Sequence, residues 1–160
     1  MSLKRARTGR GADATAARAA AVALLARKDF ASGELLARLA QRGFEAVPAA
    51  EAVGILAGEG IVNDARYAEN YVAYHAGRGQ GPIRVAAELR ARGVAPELIE
   101  AVLANGPDWR ALARAARERR FGKRLPGSWR ERARQGRFLQ YRGFSADHIR
   151  AALGADPDTD

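Results

Sequence analysis

The 160-residue sequence contains no cysteine, six prolines and two histidines. The lack of cysteine excludes disulfides, thiolate nucleophiles and cysteine-bearing zinc or iron–sulfur sites, and it fits a cytoplasmic protein best. Long apolar runs are also missing, since the longest uninterrupted one covers only residues 19–26. A membrane-spanning helix needs about 20 such residues. We therefore expect a cytoplasmic protein with no membrane contact.

Catalytic and metal-binding patterns are equally scarce. His75 and His148 are far apart and have no acidic or histidine partner at a metal-binding spacing, so packing or surface roles are expected for both. The glycine-rich tract at residues 77–81 resembles a phosphate-binding loop, but a helix precedes it and no Lys-Ser or Lys-Thr pair follows. We interpret it as a linker. The sequence predicts no enzyme activity, no cofactor and no metal.

A repeat of 50 residues organises what the sequence does contain. Leu39, Leu89 and Leu139 fall in register, and each is followed by an Arg-Gly pair and then by an apolar residue at 44, 94 or 144. Alanine, leucine and arginine dominate, and runs of alternating β-branched residues are missing, which is typical of helices. The sequence therefore predicts an all-α repeat protein.

Helix start and stop signals predict about nine helices in three groups of three. Their predicted spans are about 13–28, 32–41, 48–59, 64–76, 82–91, 96–104, 109–121, 129–141 and 146–153. The expected N-caps are Asp13, Ser32, Asp64, Asp108, Ser128 with Glu131, and Ser145. The predicted organisation is a flexible basic arm (1–12), three repeats (13–60, 61–106 and 107–153) and a frayed tail (154–160).

Positive charge is concentrated in the third repeat. The chain carries 27 basic and 18 acidic residues, for a net charge of +9. Residues 108–150 carry +9, whereas residues 34–107 carry −2. Because guanidinium groups bind phosphate and carboxylate in a two-pronged manner, this distribution indicates a polyanionic partner. A solubilising surface is the alternative.

Helical spacing groups the late arginines into two faces. Arg110, Arg114 and Arg117 share one face of the seventh helix, and Arg130, Arg134 and Arg137, followed by Tyr141, repeat the arrangement on the eighth. Arg119, Arg120, Lys123 and Arg124 extend the patch. We predict a filament- or DNA-binding surface, with a solvated helical face as the alternative. Its predicted residues are Arg110, Arg114, Arg117, Arg120, Lys123, Arg124, Arg130, Arg134 and Arg137.

The sequence also resembles the RecX family of regulatory proteins, which modulate the RecA recombinase. The matching residues are Asp64-Ala65-Arg66-Tyr67-Ala68, Gly81-Pro82-Ile83-Arg84, Glu88-Leu89 and Arg92-Gly93-Val94, with Ile99 and Leu103 following. Similar residues in the first repeat are Ala23 to Arg27, Glu34-Leu35, Leu39 and Arg42-Gly43-Phe44. Arg142-Gly143-Phe144 matches near the end. Together these residues cover about 14–153.

The resemblance implies an elongated, curved array of three tandem three-helix repeats that binds the RecA–DNA filament. We also expect a monomer, because no large apolar face is left over once the repeats are stacked. It also implies inhibition of strand exchange, ATP hydrolysis and repressor cleavage, through groove insertion or end capping. Single-stranded DNA is the expected nucleic acid, with double-stranded DNA a further candidate. Candidate contacts with RecA in the middle repeat are Arg66, Arg78, Arg84 and Arg92. The alternative is an autonomous nucleic-acid-binding repeat protein.

Overall fold

In a computed structural model, the backbone is described for residues 2–154 and the side chains for residues 13–154. This part of the chain forms nine helices and no strand. The helices are α1 (Ser2–Leu25), α2 (Ser32–Gln41), α3 (Ala46–Gly58), α4 (Asp64–Gly77), α5 (Pro82–Ala91), α6 (Pro96–Ala104), α7 (Trp109–Phe121), α8 (Trp129–Arg142) and α9 (Ala146–Leu153). The prediction of an all-α fold is confirmed.

Two helix starts differ from the prediction. Helix α1 begins at Ser2 and not at Asp13, so its backbone runs through the segment predicted to be an arm. Helix α3 begins at Ala46, which places Pro48 in its first turn. Proline is tolerated there because the first N–H groups of a helix have no intrahelical acceptor. Beyond Gly154, the predicted tail lies outside the residues that the structure describes.

Packing divides the chain into two compact units. Among the described residues, the first consists of residues 2–68 and 92–98, and the second of residues 69–91 and 99–154. In the first unit, α1, α2 and α3 pack against one another around Leu35, Leu39 and Leu56, which are fully buried. In the second unit, α7, α8 and α9 enclose Leu139 and Phe144. Each set of three helices thus has a core of its own.

Three late helices begin as predicted. The side chains of Asp108, Ser128 and Ser145 each accept a hydrogen bond from a backbone N–H three residues further on, at 3.1–3.2 Å. Glu131 also accepts a bond from the N–H of Gly127 at 2.7 Å. These local bonds satisfy N–H groups that a helix start otherwise leaves unpaired.

Two other predicted caps are wrong. Ala31, and not Ser32, is the N-cap residue of α2, and it makes no side-chain capping bond. Asp64 lies inside α4, whose N-cap bond is accepted by Asn63 from the N–H of Arg66 at 3.1 Å. The Asp64 carboxylate instead accepts bonds from the Ser32 N–H at 2.7 Å and from its hydroxyl at 2.5 Å. Asp64 therefore caps a different helix from its own, because folding brings its carboxylate to the start of α2.

Close backbone contacts recur at the starts of two middle helices. A Cβ built on Gly33, near the start of α2, would lie 2.8 Å from the Cα of Gly93 in the α5–α6 turn. In the second unit, Gly81 before α5 donates its N–H to the Arg142 carbonyl at 2.8 Å. A Cβ there would overlap the backbone of Gly143. Each Arg-Gly turn of the later repeats therefore receives the start of a middle helix.

Candidate nucleic-acid interface

Helices α7 and α8 place the basic side chains by burying their small and apolar faces. Ala113 and Ala116 are buried on α7, and Leu139 is buried on α8. The remaining faces point to solvent and carry most of the predicted basic residues. Those that are exposed are Arg110, Arg114, Arg120, Lys123, Arg124, Arg130, Arg134 and Arg137. The structure thus leaves eight of the nine predicted binding residues accessible.

Two members of this exposed set have carboxylate partners. Arg110 lies 2.5 Å from Asp147, and Arg124 lies 3.4 Å from Glu131. The hydrogen bond between Arg110 and Asp147 raises the pKa of the guanidinium and lowers the pKa of the carboxyl. Because both pairs are exposed, solvent screens them strongly. A polyanion would have to compete with these carboxylates for Arg110 and Arg124.

Arg117 corrects the sequence prediction. Its side chain is only 1% exposed, although its helical spacing places it on the face of Arg110 and Arg114. Its guanidinium donates to the backbone carbonyls of Gly122 at 3.2 Å and Arg124 at 3.1 Å. The loop after α7 folds back over the last turn of the helix and covers this one arginine. Arg117 therefore organises the loop and is not available to phosphate.

Arg132 has a comparable structural role that the sequence did not indicate. Its guanidinium donates to the carbonyls of Leu153 at 3.3 Å and Gly154 at 3.1 Å, at the end of α9. Helix ends leave carbonyls without intrahelical donors, and a cation there also offsets the helix dipole. Arg132 thus belongs to the fold of the third repeat.

Aromatic rings contact three arginines, of which Arg120 and Arg134 are exposed and Arg142 is half-buried. Phe121 and Phe138 meet edge to face, with their centroids 5.3 Å apart. The guanidinium carbons of Arg120 and Arg134 both lie 5.4 Å from the centre of the Phe121 ring, and that of Arg142 lies 5.5 Å from Phe138. Such contacts orient a guanidinium group and leave its charge in place. Arg142 was not among the predicted binding residues, because its position in the repeat motif pointed only to a helix end.

The four candidate RecA contacts fall into two classes. Arg66 and Arg78 are exposed, with Arg66 donating to the Ile61 carbonyl and Arg78 to the Tyr74 hydroxyl. Arg84 is half-buried and lies 3.3 Å from Glu88. Arg92 is also half-buried, with Tyr67 as a hydrogen-bond partner. Only Arg66 and Arg78 therefore present their charge freely to a partner.

Tyr67 lies in a polar cluster at the start of α4. Its hydroxyl donates to Glu34 at 3.3 Å. Burial, followed by the negative charge of Glu34, raises the pKa of Tyr67 to about 12. Tyr67 is thus a half-buried tyrosine with a hydrogen-bonded hydroxyl.

Glu88 anchors a second polar contact, between α4 and α5. It accepts hydrogen bonds from Tyr71 and Arg84. Burial by itself would raise the pKa of Glu88, but these two bonds, together with the nearby charges of His75 and Arg84, hold the pKa below its ordinary value. The carboxylate thus joins the phenol of Tyr71 on α4 to the guanidinium of Arg84 on α5.

The described residues contain no group of three or more histidine, cysteine or acidic side chains suited to a metal ion. None of the helices in that same part of the chain has both the length and the apolar character to span a membrane. His75 packs against Tyr71, with ring centroids 4.0 Å apart. This contact agrees with the packing role expected for His75.

Comparisons with known proteins place these observations in a family. Residues 63–103 match the family model for the RecX second three-helix domain, and residues 108–153 match the model for the RecX third three-helix domain. Regulatory protein RecX of Halorhodospira halophila is 47% identical over 151 residues, which cover 94% of each chain. The RecX of Chromohalobacter salexigens is 44% identical over 135 residues, covering 83% of this chain and 88% of that one.

Solved structures share the same helical fold. The crystal structure of RecX from Lactobacillus salivarius superposes with a TM-score of 0.75 at 21% identity, and covers 87% of this chain and 93% of that one. A second crystal structure of a regulatory protein RecX gives a TM-score of 0.76 at 19% identity, with coverages of 92% and 75%. At such low identity the likeness establishes the fold.

Proposed function

The chain belongs to the RecX family of regulatory proteins, and on that premise we propose that it is a negative regulator of RecA that binds the RecA–DNA filament. It acts without chemistry of its own, by lowering strand exchange, ATP hydrolysis and co-protease activity of the filament. It works in the cytoplasm, in DNA recombination and repair, as a monomer.

One structural observation supports the proposal independently of family membership: α7 and α8 carry exposed arginines that are largely unpaired. In the part of the chain that the structure describes, Arg114, Arg120, Arg130, Arg134 and Arg137 have no carboxylate within 4.0 Å. Like charges crowded on two helices repel one another unless an anion lies among them. Filament DNA and acidic surfaces of RecA are both suitable anions. Positive charge also speeds the encounter with such a partner.

The direct test is a titration of the protein into RecA that is hydrolysing ATP on single-stranded DNA, with DNA binding measured in the same buffer. We expect ATP hydrolysis to fall at protein concentrations well below those that saturate DNA alone. Unchanged ATP hydrolysis and strand exchange at micromolar protein would contradict the proposal.

The order of addition distinguishes the two modes of inhibition. A protein that caps the growing end slows assembly at low ratios to RecA and has little effect on complete filaments. A protein that inserts into the groove inhibits complete filaments, in proportion to the RecA present. Adding the protein before and after filament assembly, at matched concentrations, separates these outcomes.

The same arginines favour autonomous nucleic-acid binding as a second candidate function. In that case the protein inhibits RecA by coating the DNA, so inhibition appears only as the DNA becomes saturated with protein. Excess competitor DNA should then abolish the inhibition. If the protein binds the RecA filament directly, most of the inhibition should remain in the presence of competitor DNA.

A further inference from the structure

Three helix ends of the second unit meet around a small cavity. It is lined by Gly79 and Ala116, by Phe138, and by four arginines that come from the residue after α4, the last turn of α7 and the last residue of α8: Arg78, Arg119, Arg120 and Arg142. Its volume is about 120 Å³. We call this cavity the four-arginine pocket.

Among the described residues, no carboxylate lines the four-arginine pocket. None of its four arginines has an ion pair with a described acidic residue. Three of them are held by aromatic rings: Arg78 lies 5.0 Å from the Tyr74 ring, Arg120 lies 5.4 Å from Phe121, and Arg142 lies 5.5 Å from Phe138. Ring contacts position these groups without neutralising them. The pocket therefore concentrates positive charge that no carboxylate of the described residues balances.

Helix dipoles offset only part of the positive charge of the four arginines. Each helix carboxyl end carries the equivalent of roughly half a negative charge, so the ends of α4, α7 and α8 together offset about 1.5 of the four positive charges. An excess of about 2.5 charges remains. A single backbone phosphate offers one negative charge toward this excess, and its several acceptor oxygens suit the forked donors of arginine.

We propose that the four-arginine pocket binds one phosphate group of a nucleic-acid backbone. The inference deepens the proposed function, on which it rests, by assigning a DNA contact to residues in and after the last turns of α4, α7 and α8. A backbone phosphate is favoured over free inorganic phosphate because the charge continues beyond the pocket. Arg134 contacts Phe121, the same ring that holds Arg120. A chain of phosphates can follow this line of arginines.

The test is the binding of a fluorescently labelled oligothymidylate to the full chain, measured by anisotropy over a series of salt concentrations without RecA. The variants are Arg78→Gln, Arg119→Gln and the double variant, since both side chains are exposed and come from different elements. Arg90→Gln, an exposed arginine of α5 outside the pocket, is the charge-matched control. Circular dichroism and thermal unfolding verify that all four variants are folded.

We expect each pocket variant to weaken binding and to reduce the slope of log affinity against log salt by no more than about 0.7, the value for one phosphate of a single strand. The reduction in the double variant also stays within about 0.7, because both arginines hold the same phosphate. Arg90→Gln leaves the slope unchanged. A loss of about 1.4 in the double variant means two separate phosphates and overturns the inference.

Two other outcomes also overturn it: pocket variants that bind the oligonucleotide as Arg90→Gln does, and a wild-type protein that does not bind it. Inorganic phosphate at constant ionic strength is the second probe. Competition that wild type shows and the double variant lacks supports the pocket. Phosphate binding by the pocket together with normal oligonucleotide binding in the double variant assigns a free-phosphate site instead. Because RecA is absent here, the failure of this inference is distinct from the failure of the ATPase test.

Discussion

At the scale of single residues, arginines that share one helical face differ in burial and in hydrogen-bond partners. Arg114 and Arg117 are three positions apart on α7, yet the first is exposed and the second is 1% exposed. Arg117 donates to loop carbonyls, whereas Arg114 has no described partner carboxylate. Helical spacing predicts a shared face, but the loop after α7 covers only the end of that face.

Replacing Arg117 tests this division. Arg117→Met keeps most of the apolar stem and removes the bonds to the carbonyls of Gly122, Lys123 and Arg124. We expect the free energy of unfolding to fall by about 1–3 kcal/mol, the usual cost of leaving buried polar groups unpaired. Urea denaturation measures the loss.

Arg114→Met on the same helix is the control for this change, and as an exposed substitution it should alter stability by no more than about 0.5 kcal/mol. Below its unfolding transition, Arg117→Met should bind DNA with the salt dependence of the wild type. A lower salt slope for Arg117→Met would show that Arg117 reaches phosphate after all.

Tyr67 predicts a pH dependence in the alkaline range. Its pKa is about 12 in the folded protein and near its ordinary value of 10.0 in the unfolded chain. The folded state thus favours the neutral phenol, so the stabilisation is complete below pH 10 and is lost as pH rises toward 12. We expect Tyr67→Phe to remove this part of the alkaline decline in the free energy of unfolding, as measured by urea denaturation at several pH values.

Tyr141→Phe is the matched control, because Tyr141 is 83% exposed. It should leave the alkaline decline as it is in the wild type. Ultraviolet titration of the wild type and of Tyr67→Phe gives the ionisation of Tyr67 as the difference between the two curves. Ionisation of Tyr67 near pH 10 would contradict the raised pKa.

At the scale of helices, two middle-helix starts pack onto Arg-Gly turns of later repeats. Gly33 lies against the Gly93 turn in the first unit, and Gly81 lies against the Gly143 turn in the second. Gly93 and Gly143 have φ angles of 77° and 95°, in the left-handed region that favours glycine. The repeated Arg-Gly pair therefore ends one helix and makes room for the start of another.

A pair of glycine substitutions tests this packing. Gly33→Ala should lower the free energy of unfolding by about 1–3 kcal/mol, because its Cβ would lie 2.8 Å from backbone that must shift. Gly54→Ala in α3 meets nothing within 4 Å and should raise it by about 0.5–1 kcal/mol. Chemical denaturation of both variants gives the comparison. Equal effects from the two alanines would mean that helix propensity, and not close contact, governs Gly33.

At the scale of the whole molecule, the uneven charge predicts the salt dependence of DNA binding. Replacing three exposed arginines of α7 and α8 with glutamine should reduce the slope of log affinity against log salt by up to about 2.1 for single-stranded DNA and about 2.7 for duplex, if each contacts one phosphate. These residues are Arg114, Arg134 and Arg137.

The control carries the same loss of charge outside this surface, at Arg27, Arg38 and Arg90, which are all exposed. Its slope should stay close to that of the wild type. Equal slopes for the two triple variants would mean that net charge, and not the surface of α7 and α8, determines DNA affinity. Fluorescence anisotropy at several salt concentrations measures both.

The sequence alone determined the helical class, most helix boundaries and the family resemblance. Caps and left-handed glycines act within a few residues of one another, so Asp108, Ser128, Ser145 and Gly143 could be assigned from local pattern. The tertiary structure decided which long-range partner each polar side chain meets. Asp64 caps α2, Arg117 binds a loop, and Arg78 joins Arg142 in one pocket. Helical periodicity predicts which residues share a face, but only packing determines what covers that face.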